Sequence, residues 1–161
     1  AILWLLRAGP TMVGTIMSNL GLERALELSG IKLVRTGVGD ALVAAKMDEL
    51  GAELGGEPSG HILLRDGCPT ADALHVGLLA LSRDISLSTA GFEPFPQAHA
   101  SLRNLTSAEV DTTFVADAGG RAVVRKSGTE PVVRVMVEHP DFTTANHLRD
   151  RVVALLQEFS A

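Results

Sequence analysis

Met12-Val13-Gly14-Thr15-Ile16-Met17, then Ser18-Asn19, a run from Leu20 to Ser29, Gly30, and Ile31-Lys32-Leu33-Val34-Arg35-Thr36 decide the fold class. The first run is rich in β-branched residues and reads as a buried strand. Ser18 or Asn19 can cap the helix that follows, and Gly30 stops it. Ile31 to Thr36 reads as the next strand. Asp40 then caps a helix from about Ala41 to Leu50, and Gly51 ends it. Strand–helix–strand–helix in this order predicts a layered α/β domain on a parallel sheet.

Working outward, Gly55-Gly56-Glu57-Pro58-Ser59-Gly60 reads as a loop, since its glycines and proline sustain neither period. His61 to Leu64 reads as a short strand and Asp66-Gly67 as a turn. Thr70 is expected to cap a helix through Ala73, Leu74, Val76, Leu78, Leu79 and Leu81, whose broad apolar face predicts that it is largely buried. Gly91-Phe92-Glu93-Pro94-Phe95-Pro96 breaks all periodicity and reads as a hinge. It divides the chain into residues 1–92, an α/β domain, and 93–161, a small α+β domain. The second part reads as a strand from Ala98 to Arg103 and a polar stretch near Thr106 to Thr113. Two β-rich runs follow, Arg121 to Val124 and Val132 to Val137. A last helix starts at Asp141, Thr143 or Thr144, with Ala145, Leu148, Val152, Leu155, Leu156 and Phe159 as its apolar stripe.

Composition narrows the function. The chain has 161 residues, 46% of them hydrophobic, so it can build a packed core. A net charge of −5 argues against a nucleic-acid binder, which would show a basic face. One cysteine, Cys68, allows no internal disulfide and no cysteine-based metal site, and fits a cytoplasmic setting. The apolar run Ala1 to Leu6 is too short to span a bilayer and has no basic stretch before it, so neither a membrane span nor a signal peptide is expected. It reads as a core element exposed by a cut, with the chain part of something longer.

Between the β-rich runs of the second part lies Arg125-Lys126-Ser127-Gly128-Thr129-Glu130-Pro131. Two fixed cations supply charge, Ser127 and Thr129 supply O–H donors, and Gly128 lets backbone N–H groups close on an anion. The plain alternative is a polar hairpin turn. The density of anion donors, with Arg134 on the next strand, favours a phosphate site. In the first part Glu57, Ser59 and His61 alternate. If extended, they present a carboxylate, a hydroxyl and an imidazole on one side, a suitable grip on adjacent sugar hydroxyls. The alternative is a Gly-rich turn with a half-buried histidine. Thr36-Gly37-Val38-Gly39-Asp40 is a Gly-rich strand-to-helix loop that can turn a helix N-terminus toward a ligand, or in which Asp40 only caps its helix. The sequence holds no P-loop, dinucleotide fingerprint or nucleophile elbow, and no histidine pair or acidic run with metal spacing. The residues present suit a polyol phosphate and offer no obvious nucleophile or metal site.

Together these strings resemble the α-D-phosphohexomutase family. The resemblance rests on Met17-Ser18-Asn19-Leu20-Gly21-Leu22, Val38-Gly39-Asp40, Gly55 to Ile62, and Arg125 to Pro131 followed by Arg134-Val135-Met136-Val137-Glu138. Order and spacing agree over nearly the whole chain, and the first string leans toward the glucosamine-phosphate branch. The resemblance implies a domain 3-like layered α/β domain followed by a domain 4-like α+β domain. It implies interconversion of glucosamine 6-phosphate and glucosamine 1-phosphate on the route to peptidoglycan precursors, through a phosphoserine assisted by Mg²⁺. By the same resemblance Glu57, Ser59, His61 and Asp40 face the sugar, with His61 a candidate accessory to catalysis. Arg125, Ser127, Gly128, Thr129 and Arg134 face the phosphate that is not being transferred.

The family's serine segment and its D-x-D-x-D-R metal loop have no counterpart here, so the resemblance covers a C-terminal half. Catalytic serine, Mg²⁺ ligands and N-terminal domains are expected to lie outside this chain, whose partner is a hexosamine phosphate. Ala41 stands where the family carries arginine after V-G-D, Gly67 to Ala73 is a worn form of K-T-T-T-G-D-G, and Asn104 to Ala118 is short. These departures keep two alternatives open: a phosphomannomutase or phosphoglucomutase, and a non-catalytic sugar-phosphate-binding remnant.

Overall fold

The computed structural model describes residues 9–65, 72–82, 92–105, 107–128 and 130–158. It divides into two units, Ala1–Pro94 and Phe95–Ala161. Several expectations lie outside the described residues: the Ala1 to Leu6 run, Cys68, the Asp66-Gly67 turn, the Thr70 cap, Thr129 and Phe159.

The first unit is the layered α/β domain expected from Met12 to Leu50. Its elements are β1 (Thr11–Thr15), α1 (Leu20–Leu28), β2 (Lys32–Thr36), α2 (Asp40–Leu50), β3 (Leu54–Gly56), β4 (Ile62–Leu64) and α3 (Ala73–Ser82). The sheet order is β2-β1-β3-β4; β1 runs parallel to β2 and β3, and β4 is an antiparallel edge. Side chains alternate across a strand, so β1 feeds both faces. Met12 joins Leu22, Leu26, Leu33 and Leu54 under α1, while Val13 joins Val43, Met47, Ala52 and Leu63 under α2.

Local chemistry sets the ends. Asn19 caps α1, its side chain accepting from the Gly21 N–H at 2.8 Å. Gly51 ends α2 in the left-handed conformation, φ 64°. At the start of α2 the expectation is corrected: Gly39, φ 133°, holds the cap position and Asp40 is the first helical residue, its Oδ1 accepting from the Ala41 N–H at 2.8 Å.

Two further expectations are overturned. Gly55 and Gly56 are strand, not loop. A side chain at Gly55 would meet Met47 Sδ at 2.5 Å and Val43 Cγ1 at 2.7 Å, so glycine is there to let α2 lie close on the sheet. Nor is α3 largely buried. Val76 is buried, but Leu74, Leu78 and Leu81 are 73%, 58% and 74% exposed. Their i, i+4, i+7 spacing puts them on one face, which nothing among the described residues covers.

The second unit holds β5 (Gln97–Arg103), α4 (Thr113–Asp117), β6 (Arg121–Lys126), β7 (Val132–Glu138) and α5 (Phe142–Glu158). The sheet is antiparallel in the order β5-β7-β6. Val133, Val135 and Val137 point to α5 and pack with Val152, Leu156 and Val115. Asp141 caps α5, accepting from the N–H and Oγ1 of Thr144, both at 2.7 Å. At the far end of β7, Glu138 is fully buried. Arg121 Nε and Nη2 reach its Oε2 at 2.9 and 2.7 Å, and Gln97 Nε2 donates to its Oε1 at 2.6 Å.

Candidate functional site

In the first unit β1, β2 and β3 are parallel, so their C-terminal ends open on one edge of the sheet. Three loops leave from it: Ile16 to Asn19, Gly37 to Gly39, and Glu57 to His61. The C-terminal edge of a parallel sheet is where α/β folds place ligands. Glu57 lies at the centre. Its side chain is 8% exposed; Oε1 accepts from the Gly39 N–H at 2.9 Å, and Oε2 lies 3.6 Å from Nδ1 of the exposed His61. The carboxylate therefore joins two loops and sits at the N-terminal end of α2, where a negative charge is favoured.

The extended Glu57–Ser59–His61 arrangement is not what folds. The Glu57 N–H donates to the His61 carbonyl at 2.9 Å, and the Gly60 N–H to the Glu57 carbonyl at 3.1 Å. Pro58, Ser59 and Gly60, the last at φ 102°, close a tight β3–β4 turn. The turn still brings Glu57 to His61 and leaves Ser59 exposed at its tip. Asp40, also exposed, stands one residue beyond the Gly39 amide that Glu57 holds. These four predicted residues thus lie on two adjoining loops of one sheet edge.

Sequence reasoning missed the bracing of the third loop. Ser18 Oγ accepts from the Thr15 N–H at 3.0 Å, and Thr15 and Ser18 are both buried. Arg35 on β2 donates to Glu23 Oε1 at 2.6 Å and to the Ser18 carbonyl at 3.2 Å. Arg35 and Glu23 lie 12 residues apart. Such a pairing has no local signature; only the packing of α1 beside β2 brings it together.

In the second unit Arg125 and Arg134 are direct cross-strand partners on β6 and β7. Like charges placed so repel by a few tenths of a kcal/mol or more. Arg134 is offset by Glu130 at 2.9 Å. Arg125 pairs with no carboxylate among the described residues. The Ser127 N–H donates to the Val132 carbonyl at 2.8 Å, which carries the ladder one step past Lys126 and leaves Gly128 exposed in the loop beyond. The hairpin thus places two guanidinium groups and a hydroxyl beside an exposed Gly-containing turn. Among the described residues no three His, Cys, Asp or Glu side chains gather as a metal would need. These residues do not fit a Mg²⁺ seat. No described helix is long and apolar enough to cross a membrane.

The chain's relatives fit this architecture. Residues 3–87 match the phosphoglucomutase/phosphomannomutase alpha/beta/alpha domain III, and residues 93–155 match the C-terminal domain of the same group. Phosphoglucosamine mutase of Ruegeria sp. (strain TM1040) is 42% identical over 167 residues, which cover 93% of this chain and 37% of that protein. Phosphoglucosamine mutase of Methylocella silvestris is 44% identical over 82% of the chain and 33% of its own length. The chain therefore spans little more than a third of these relatives. Among solved structures, Aspergillus fumigatus N-acetylphosphoglucosamine mutase in complex with GlcNAc-6P and magnesium superposes with a TM-score of 0.72 at 17% identity, over 94% of this chain and 39% of that one. A phosphoglucomutase/phosphomannomutase family protein of Burkholderia thailandensis gives 0.70 at 21% identity, over 95% and 39%. At those identities the likeness is one of fold. The two sequence matches, each falling on one folded unit, show that the chain belongs to the phosphoglucomutase/phosphomannomutase family and carries its domain III and its C-terminal domain.

Proposed function

We propose that this chain is the sugar- and phosphate-binding part of a phosphoglucosamine mutase, which interconverts glucosamine 6-phosphate and glucosamine 1-phosphate. The observation that carries the reading is the buried Glu57, fixed by the Gly39 amide at the mouth of a parallel sheet. A carboxylate held this way accepts hydrogen bonds from vicinal sugar hydroxyls, and Ser59 beside it donates or accepts. The exposed His61 beside Glu57 can hold a phosphate oxygen when protonated. Asp40 adds an acceptor on the same edge. Arg125, Ser127, Gly128, Thr129 and Arg134 form the phosphate grip, in which forked guanidinium groups meet phosphate oxygens. The relatives at 42–44% identity support glucosamine phosphate over other hexose phosphates.

Phosphoryl transfer depends on positioning and on charge stabilisation. In this reading the chain supplies the positioning, while the phosphoserine and the Mg²⁺ ligands belong to other parts of the protein. The chain alone therefore binds substrate without isomerising it. Calorimetry with glucosamine, glucose and mannose 6-phosphates tests the assignment. Glucosamine 6-phosphate is expected to bind most tightly, and Arg125→Ala to weaken it by roughly 1.5–3 kcal/mol, the scale of a hydrogen bond to a charged group. Tighter binding of mannose or glucose phosphate, or an unchanged Arg125→Ala affinity, would overturn it.

A further inference from the structure

The register of the second sheet brings a third arginine to the phosphate loop. Directly paired residues of antiparallel strands share a face. Arg103 on β5 pairs with Val132, and Ser101 pairs with Arg134. On the other side of β7, Arg125 pairs with Arg134, and the Ser127 N–H bond to the Val132 carbonyl sets Ser127 opposite Val132. One face of the sheet therefore carries two adjacent rows, Arg103–Val132–Ser127 and Ser101–Arg134–Arg125. It is the face turned away from α5, since Val133 and Val135 point to that helix.

Strands lie about 4.8 Å apart, so Arg103 and Ser127 flank Val132 at a separation of about 10 Å, a span that an arginine side chain largely covers. Val132 is a short, buried floor between them. Arg103 is exposed, and like Arg125 it pairs with no carboxylate among the described residues. Three guanidinium groups thus crowd the loop end of one face, with Glu130 the only carboxylate among the described residues that is ion-paired to any of them. Such a cluster is self-repelling until an anion of more than one charge lies between its members. At neutral pH a phosphate monoester is such an anion.

We infer that Arg103 is a binding residue for the phosphate of the substrate, closing the grip from the side opposite Ser127. The inference rests on the phosphate-site reading of the Arg125 loop. Its test is a calorimetric titration of the full 161-residue chain with glucosamine 6-phosphate, and with glucosamine as the phosphate-free control. Arg103→Gln, Arg103→Lys and Arg125→Gln are compared with Arg24→Gln, which removes the same charge from the first unit. Thermal melts establish that each variant is folded.

Arg103→Gln is expected to weaken glucosamine 6-phosphate about five- to tenfold, a loss of about 1–1.4 kcal/mol. Arg103→Lys should recover part of that loss, and Arg24→Gln should match the parent. An Arg103→Gln affinity equal to the parent, with Arg125→Gln weakened, would overturn the role of Arg103 and leave the loop's role standing. Parent-like affinity in both, or no binding by the parent chain, would overturn the loop's role and this one with it.

Discussion

Glu57 shows how one buried carboxylate can organise a site. Its Oε1 satisfies the Gly39 amide at the start of α2, so removing it orphans a partly buried donor and, in the proposed function, also removes a sugar contact. Glu57→Ala is expected to lose about 1–3 kcal/mol of stability, measured by urea denaturation, together with sugar binding. Glu57→Gln keeps an acceptor and should recover most of the stability but not the binding. Equal stability of Glu57→Ala and the parent would remove Glu57 from this role. Asp141 gives a pH-dependent counterpart. The Thr144 hydroxyl, then the Thr144 N–H, hold its carboxyl below the ordinary value, with smaller help from His139 and His147. A depressed folded pKa stabilises above the unfolded pKa and is lost as pH falls through the folded one. The melting temperature of Asp141→Asn should therefore approach that of the parent as pH drops below about 4, with the gap widest near neutrality. A gap that stays constant from pH 7 to 3 would contradict this.

At the scale of elements, the β6–β7 hairpin separates its structural anchor from the proposed phosphate grip. Arg121, Gln97 and Glu138 anchor the end remote from the loop, with Glu138 fully buried. Breaking a buried pair by removing one partner costs roughly 3–5 kcal/mol, so Arg121→Met should unfold the second unit's sheet at markedly lower denaturant. Loss of Arg134 from its exposed pair with Glu130 should cost under about 1 kcal/mol. A similar loss for both in chemical denaturation would contradict the division. Gly55→Ala tests the α2–β3 approach; its Cβ would meet Met47 and Val43, an overpacking that costs about 1–3 kcal/mol.

What the sequence revealed at this scale follows from range. The β1-α1-β2-α2 succession was legible because β-branched runs, a capping Asn19 and stops at Gly30 and Gly51 are local signals. Gly55 and Gly56 were not, because their strand is selected by a helix packing on them, and a glycine pair looks like a turn from within. The alternation of Glu57, Ser59 and His61 misled because alternation implies one face only when the chain is extended. Hydrophobicity of α3 was legible, but which face finds a partner was not. The placing of Arg103 and Ser127 on either side of Val132 is set by pairing across three strands, which no local window contains.

For the whole molecule, the chain carries family domain III and the C-terminal domain, about 37% of the length of relatives such as the Ruegeria mutase. Its two units present different chemistry. One offers acceptors and an imidazole at a sheet edge, the other clustered guanidinium groups beside a hairpin loop. In the proposed function the first chemistry suits sugar hydroxyls and the second a phosphate. The most direct test of this account is a ³¹P NMR titration of glucosamine 6-phosphate with the purified chain in the presence of Mg²⁺. The account predicts a saturable shift of the 6-phosphate resonance and no growth of a glucosamine 1-phosphate resonance. Absence of any shift, or the appearance of the 1-phosphate, would contradict it.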